Sequence, residues 1–222
     1  MLRSRLQLIA LLLICLFWTG IADLHADAPV EFKWALLMDT PTGLSAVDFS
    51  STPEIAKGAT LQLYLKPEPS TYLYLFLLDS SNVFTPIFPG SQNYYAHQDP
   101  GKEIRIPAGE NRFTIVPPPG QEKFYLLASP KRLVKLEKLI DDYLYQPDSI
   151  NTQAELFKEV RLIRRAHSKF KQFTETGMPV SGTRREIRGQ GATRGSGDRE
   201  TFVATHVSAV GFYSRILRVN HE

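Results

Sequence analysis

Residues 71–78 read Thr-Tyr-Leu-Tyr-Leu-Phe-Leu-Leu, and this octet decides the fold. At a strand's period of two, Tyr72, Tyr74, Phe76 and Leu78 share one face and Leu73, Leu75 and Leu77 the other. Neither face is polar, so the strand belongs in the middle of a structure, covered above and below. Asp79-Ser80-Ser81-Asn82 supplies turn chemistry, and residues 83–88 return as a hairpin partner. Upstream, Gly58 opens a strand over 59–66 in which Leu61, Leu63 and Leu65 alternate with Gln62, Tyr64 and Lys66. Pro67 and Pro69 end it, since proline cannot donate to a ladder.

Working outward, residues 31–39 read as a first strand closed by Thr40-Pro41-Thr42-Gly43, and 89–101 as a loop. Short strands are expected over 103–106, 112–116 and 123–128. At Ser129-Pro130 the pattern changes to a helix start, and Leu133, Leu136, Ile140, Tyr143 and Leu144 recur at helical spacing until Pro147. Thr152 and Glu155 form a capping box for a second helix, whose stripe of Leu156, Val160, Ile163 and Phe170 runs to near Gly177. Residues 176–200 are poor in apolar side chains and rich in Gly and Arg, which predicts a flexible loop. Residues 201–207 and 211–219 then read as a terminal strand pair.

These elements predict an α+β fold, mainly β: an antiparallel β-sandwich over 27–129, two helices within 130–175, the flexible loop 176–200, and a final β-hairpin in 201–222 that rejoins the sheet. With 43% hydrophobic and 22% charged residues, the composition is that of an ordinary globular protein.

The N-terminus reads as an export signal. Arg3 and Arg5 precede an apolar run of 11 residues, 8–18, after which small residues invite cleavage behind Ala22 or Ala26. That run is shorter than the roughly 20 residues needed to cross a bilayer. The expected location is therefore periplasmic or extracellular. Cys15 is the one cysteine, and it follows Ile14 rather than the small residue that a lipidation signal wants. A cleaved chain then offers no disulfide, no cysteine nucleophile and no cysteine-bound zinc.

Four features in order resemble the bacterial domain of unknown function 4384 over residues 57–129. They are Lys57-Gly58, the strand Tyr72-Leu73-Tyr74-Leu75 leading to Asp79, the turn Phe88-Pro89-Gly90, and Ile106-Pro107 followed by Pro118-Pro119-Gly120-Gln121-Glu122. The family more often carries asparagine at Gly90 and glycine or an acid at Ser81 and Asn82. The resemblance implies a compact β-sandwich used beside many other modules, with no catalytic residue to carry over. The two helices and the final strand pair lie outside it.

Candidate chemistry is sparse. The sequence has no Gly-x-Ser-x-Gly elbow, and His97, His167, His206 and His221 stand far apart. His167, near the helical stripe, reads as structural. His97 and Asp99 form a minimal metal pair in a loop whose residues ordinarily face solvent. Gly189 to Gly195 lacks the strand before and helix after that a phosphate cradle needs. Aromatic residues 72, 74, 76, 94 and 95 suit either a groove or, more simply, a core.

The strongest positive signal is basic. Between Lys158 and Arg199 stand 11 Lys or Arg against four Asp or Glu. Arg161, Arg164 and Arg165 on the second helix, with Arg184, Arg185 and Arg188 in the loop, are the candidate binding residues for an anionic lipid, an acidic polysaccharide or an acidic protein. The bland reading of the same cluster is a solvated face. Export disfavours nucleic acid. The functional expectation is a non-enzymatic interaction or accessory module of the bacterial envelope, without cofactor or metal. The alternatives are a hydrolase whose site is assembled across the fold, and a structural subunit of a secretion or surface assembly.

Overall fold

The computed structural model describes residues 28–91, 94–97, 101–170, 172–183 and 199–222. In chain order the elements are β1 (Pro29–Thr40), β2 (Gly43–Ala46), β3 (Glu54–Ile55), β4 (Thr60–Pro67), β5 (Tyr72–Leu78), β6 (Phe84–Phe88), α1 (Tyr94–His97), β7 (Ile104–Ile106), β8 (Phe113–Thr114), β9 (Gly120–Ser129), α2 (Val134–Tyr145), α3 (Ile150–Ala166), β10 (Phe173–Thr183), β11 (Arg199–Val210) and β12 (Tyr213–His221). They form a mainly β, α+β sandwich. One sheet runs β10-β11-β1-β4-β7, with β2 beside β1 and β8 beside β4; the other runs β3-β12-β9-β5-β6. Neighbours are antiparallel except β3 and β12.

The octet at 71–78 explains the layering. Leu73 and Leu75 face the first sheet, where they meet Phe32, Trp34 and Leu36 of β1 and the leucines of β4. Tyr74 and Phe76 face the other way and are covered by Leu136 and Ile140 of α2 and Leu156 and Val160 of α3. The helices therefore make a third layer, and β5 needs no polar side because its residues 73–76 are buried on both faces.

A buried polar network ties that layer down. Glu137, fully buried in α2, accepts from the Tyr74 hydroxyl at 2.7 Å and pairs with Arg132. The same hydroxyl accepts from the Leu133 amide at 2.8 Å. It thereby satisfies a backbone donor that a helix start leaves open. Burial raises the Tyr74 hydroxyl well above its ordinary pKa; the Leu133 amide opposes this and Glu137 adds to it.

Several boundaries differ from the sequence reading. The first helix starts at Val134 rather than behind Ser129, because Ser129 is still paired with Tyr72 in the sheet. Ser149, not Thr152, caps α3, its side chain accepting from the Thr152 amide at 3.3 Å. The helix ends at Ala166 instead of near Gly177, with Phe170 still packed on the helical cluster. Residues 176–183, expected in a flexible loop, continue β10, which pairs with β11 from Phe173↔Ala209 to Thr183↔Arg199. The last two strands enter opposite sheets: β11 pairs with β1 and β10, and β12 with β9 and β3. The hairpin at this end of the chain is accordingly β10 with β11.

Candidate functional site

The arginines singled out on the second helix divide by helical phase. Arg164 stands four residues after buried Val160 and turns inward. Its Nε donates to Ser214 Oγ at 2.8 Å, and its guanidinium lies 5.6 Å over the Tyr125 ring. Burial lowers its pKa, Tyr125 opposing that and nearby Arg218 adding to it. Arg164 is thus a packing residue between α3 and the second sheet. Arg161 and Arg165, one turn apart, face out with Lys158. Together with Ala154, Phe157 and Leu162 they line a shallow groove of about 270 Å³. Arg161 lies 5.7 Å over the Phe157 ring, and no ion pair joins Lys158, Arg161 or Arg165 to a carboxylate among the described residues. Arg184, Arg185 and Arg188 lie outside the described residues.

The same stripe carries apolar side chains toward the helix start. Ile150 is 81% exposed and neighbouring Tyr145 85% exposed, while Leu162 is 46% exposed among the cations. Two arginines one turn apart repel by about 0.2–0.5 kcal/mol on a helix, although the place of Arg165 in the last turn suits the helix dipole. An external anion removes that repulsion.

The four sequence features at 57–122 fall on strand β5 and on the turns that close the sandwich. Gly58 has φ +80°, its amide donates to Ile115 O, and the Ile115 amide donates to Ala59 O. Asp79 Oδ1 accepts from the amides of Ser81 and Val83, which fixes the β5–β6 turn. Gln62 Nε2 reaches the carbonyls of Pro107 and Gly109, both at 3.0 Å. A Cβ on Gly120 would stand 2.7 Å from Ser80 Cβ, and Ser80 Oγ donates to Pro118 O at 3.0 Å. The proline-rich turn and the β5–β6 turn are thus clipped together. Only glycine permits so close an approach.

Glu122 completes the clip. One carboxylate oxygen accepts from the Ser80 amide at 3.4 Å and lies 3.0 Å from His221 Nε2 on β12. Its other oxygen, and His221 Nδ1, are buried without a partner among the described residues. The sequence did not mark this pair, because its members are 99 residues apart. A carboxylate and a histidine in contact are a minimum for hydrolysis, but Ser80 spends its hydroxyl on Pro118, and among the described residues no hydroxyl bonds His221. Glu122 also borders an apolar cavity of about 250 Å³ between the sheets, walled by Leu61, Leu63, Leu75 and Phe124.

Elsewhere His167, Tyr94 and Tyr95 resolve into packing. His167 stacks on Phe212 at 4.2 Å and its Nδ1 lies 2.9 Å from Ile163 O. Tyr94 and Tyr95 stack edge-on against Phe88 and against Tyr72 and Tyr74. Asp99 and residues 189–195 lie outside the described residues. Among the described residues no three His, Cys, Asp or Glu side chains are grouped to hold a metal. No described helix is long and apolar enough to cross a membrane.

Comparison with known proteins gives one match. Residues 54–132 fit the family described as Domain of unknown function (DUF4384). None of the curated proteins and none of the solved structures matches the chain. The matched stretch holds β3 to β9, and its turns are the ones tied by Gly58, Asp79, Gly120 and Glu122. With those turns the segment 54–132 is recognised as a DUF4384 domain, completed in both sheets by strands from outside it.

Proposed function

We propose that the protein is an exported, non-enzymatic binding module of the bacterial envelope that holds an anionic envelope component on the outer stripe of α3. The observation that carries this reading is the row Lys158, Arg161 and Arg165, exposed, without carboxylate partners among the described residues, and flanked by exposed Leu162 and Ile150. Cations beside apolar side chains suit an anionic surface that also accepts hydrocarbon, and each basic residue near such a surface contributes about 1 kcal/mol. The export signal expected over residues 1–26 supports the reading, because an exported chain would meet such a surface.

Two experiments test the proposal. Mass spectrometry of the protein from the envelope fraction should find a chain beginning at Asp23 or Asp27; full-length chain in the cytosol contradicts export. Cosedimentation with vesicles containing an anionic phospholipid should exceed that with zwitterionic vesicles and weaken as salt rises. Replacing Lys158, Arg161 and Arg165 by serine should lower partitioning by tenfold or more. Equal partitioning of the variant contradicts the assignment to α3. A soluble acidic polysaccharide run in parallel distinguishes a lipid surface from a polymer of the same charge.

A further inference from the structure

A second cleft lies wholly outside residues 54–132. It measures about 400 Å³ and opens between the β10–β11 hairpin, β12 and the segment after β2. Its wall is aromatic: Trp34 and Phe49 stand with ring centroids 5.6 Å apart. Trp34 is 2% exposed, and its Nε1 is a buried donor with no partner among the described residues. A buried donor in that state needs an acceptor from water or a ligand.

Charged groups converge on the same space. Arg215 lies 6.0 Å over the Trp34 ring, pairs with Glu175, and directs its second terminal nitrogen toward Phe49 O at 3.5 Å. The other oxygen of Glu175 accepts from Tyr213 at 2.7 Å. Asp48 accepts from the Ser50 amide and hydroxyl, both at 2.8 Å, which hold its carboxyl below the usual pKa and keep it charged. Each carboxylate retains further lone pairs. The lining therefore has two carboxylates against one guanidinium, a balance that disfavours an anion.

We infer that this cleft binds a neutral saccharide ring. Sugar hydroxyls both donate and accept, so they can serve the Asp48 and Glu175 carboxylates and the Arg215 guanidinium together. The apolar face of the ring packs on Phe49. A largely preformed pocket of this size, with aromatic walls and a few convergent polar groups, is the form that small-ligand sites take. The inference uses none of the α3 residues and stands or falls separately from the proposal for that face.

The chain has two tryptophans, Trp18 and Trp34, so a Trp18→Phe chain reports the cleft by fluorescence excited at the indole edge. Glucose, galactose and N-acetylglucosamine are titrated, with glucuronate as the charged control. At least one neutral sugar should give a saturable change in Trp34 emission, with glucuronate at least about tenfold weaker. Glu175→Gln should weaken that response about tenfold. Because that change also releases Tyr213 and Arg215, Val203→Phe supplies a second test: Val203 lines the cleft yet is 56% exposed, so the larger ring occludes the site without crowding the core. An absent saturable response, an equal response to glucuronate, or a response unchanged in a folded Val203→Phe chain overturns the inference.

Discussion

In the segment 54–132 turns are tied to turns, whereas the flanking segments leave their surfaces open. Ser80 is gripped by Pro118 and Glu122, and Glu122 in turn holds His221 from the last strand. The cavity beside this clip is apolar, with Glu122 and Asp79 at its margin. The flanks build the Trp34 cleft from Trp34, Asp48, Phe49, Glu175 and Arg215, and they also supply the cationic stripe of α3. The difference lies in where polar groups are spent. In the matched segment they satisfy the backbone at chain reversals; in the flanks they converge on free space. The residues that mark the segment thus act in closing the fold, and the open clefts are built by what surrounds it.

The largest expected effect breaks the comparison at its centre. Leu75 is buried in β5 between the two sheets, so Leu75→Ala should cost about 2–5 kcal/mol in urea melts. Val203→Ala, on the flanking hairpin, should stay within about 0.5 kcal/mol. Similar losses at both sites would erase the distinction.

A smaller effect is expected where the helical layer joins the sandwich. Tyr74→Phe leaves the Leu133 amide and the buried Glu137 short of a partner, at about 1–3 kcal/mol. It also changes the alkaline limb. Burial raises the Tyr74 hydroxyl above its unfolded value of about 10, so the folded chain keeps a proton that the unfolded chain releases. The associated stability is complete below pH about 10 and is lost as the pH climbs above it. Burial raises the Tyr64 and Tyr213 hydroxyls in the same direction, so they contribute with the same sign. The loss of stability above pH 10 should therefore be shallower in Tyr74→Phe; an unchanged slope would place the ionisation elsewhere.

Least of all should the outer stripe matter to folding. The Lys158, Arg161 and Arg165 triple serine variant should melt within about 0.5 kcal/mol of the wild type, since the three side chains are exposed. A large loss would make the stripe part of the scaffold.

Much of the scaffold was legible because it is amphipathic. Both faces of β5 could be read as covered, and the helical stripes through Leu136, Ile140, Leu156 and Val160 are those that pack. Strand β10 escaped because Thr-Glu-Thr-Gly-Met-Pro-Val-Ser-Gly has no apolar alternation; an edge strand exposed along most of its length requires none. Helix starts slipped for a different reason. Ser129 has capping chemistry but is held in the ladder, and the hydroxyl of distant Tyr74 takes up the Leu133 amide instead. The inward turn of Arg164 was readable from its phase with Val160. The Trp34 cleft was not readable, since its wall joins positions from 34 to 215 that only the sandwich brings together.

The division between a clipped segment and open flanks is tested most directly by one pair of glycines. An added Cβ at Gly120 would meet Ser80 Cβ at 2.7 Å, inside the clip, whereas at Gly177 it would meet Val203 Cγ1 at 3.1 Å, on a side chain free to give way. Denaturant melts of Gly120→Ala and Gly177→Ala should differ accordingly. Gly120→Ala is expected to lose about 1–3 kcal/mol, the cost of overpacking, and Gly177→Ala less than about 1 kcal/mol. Equal losses, or the larger loss at Gly177, would contradict the claim that the matched segment is tightly clipped and the flanking hairpin is less constrained.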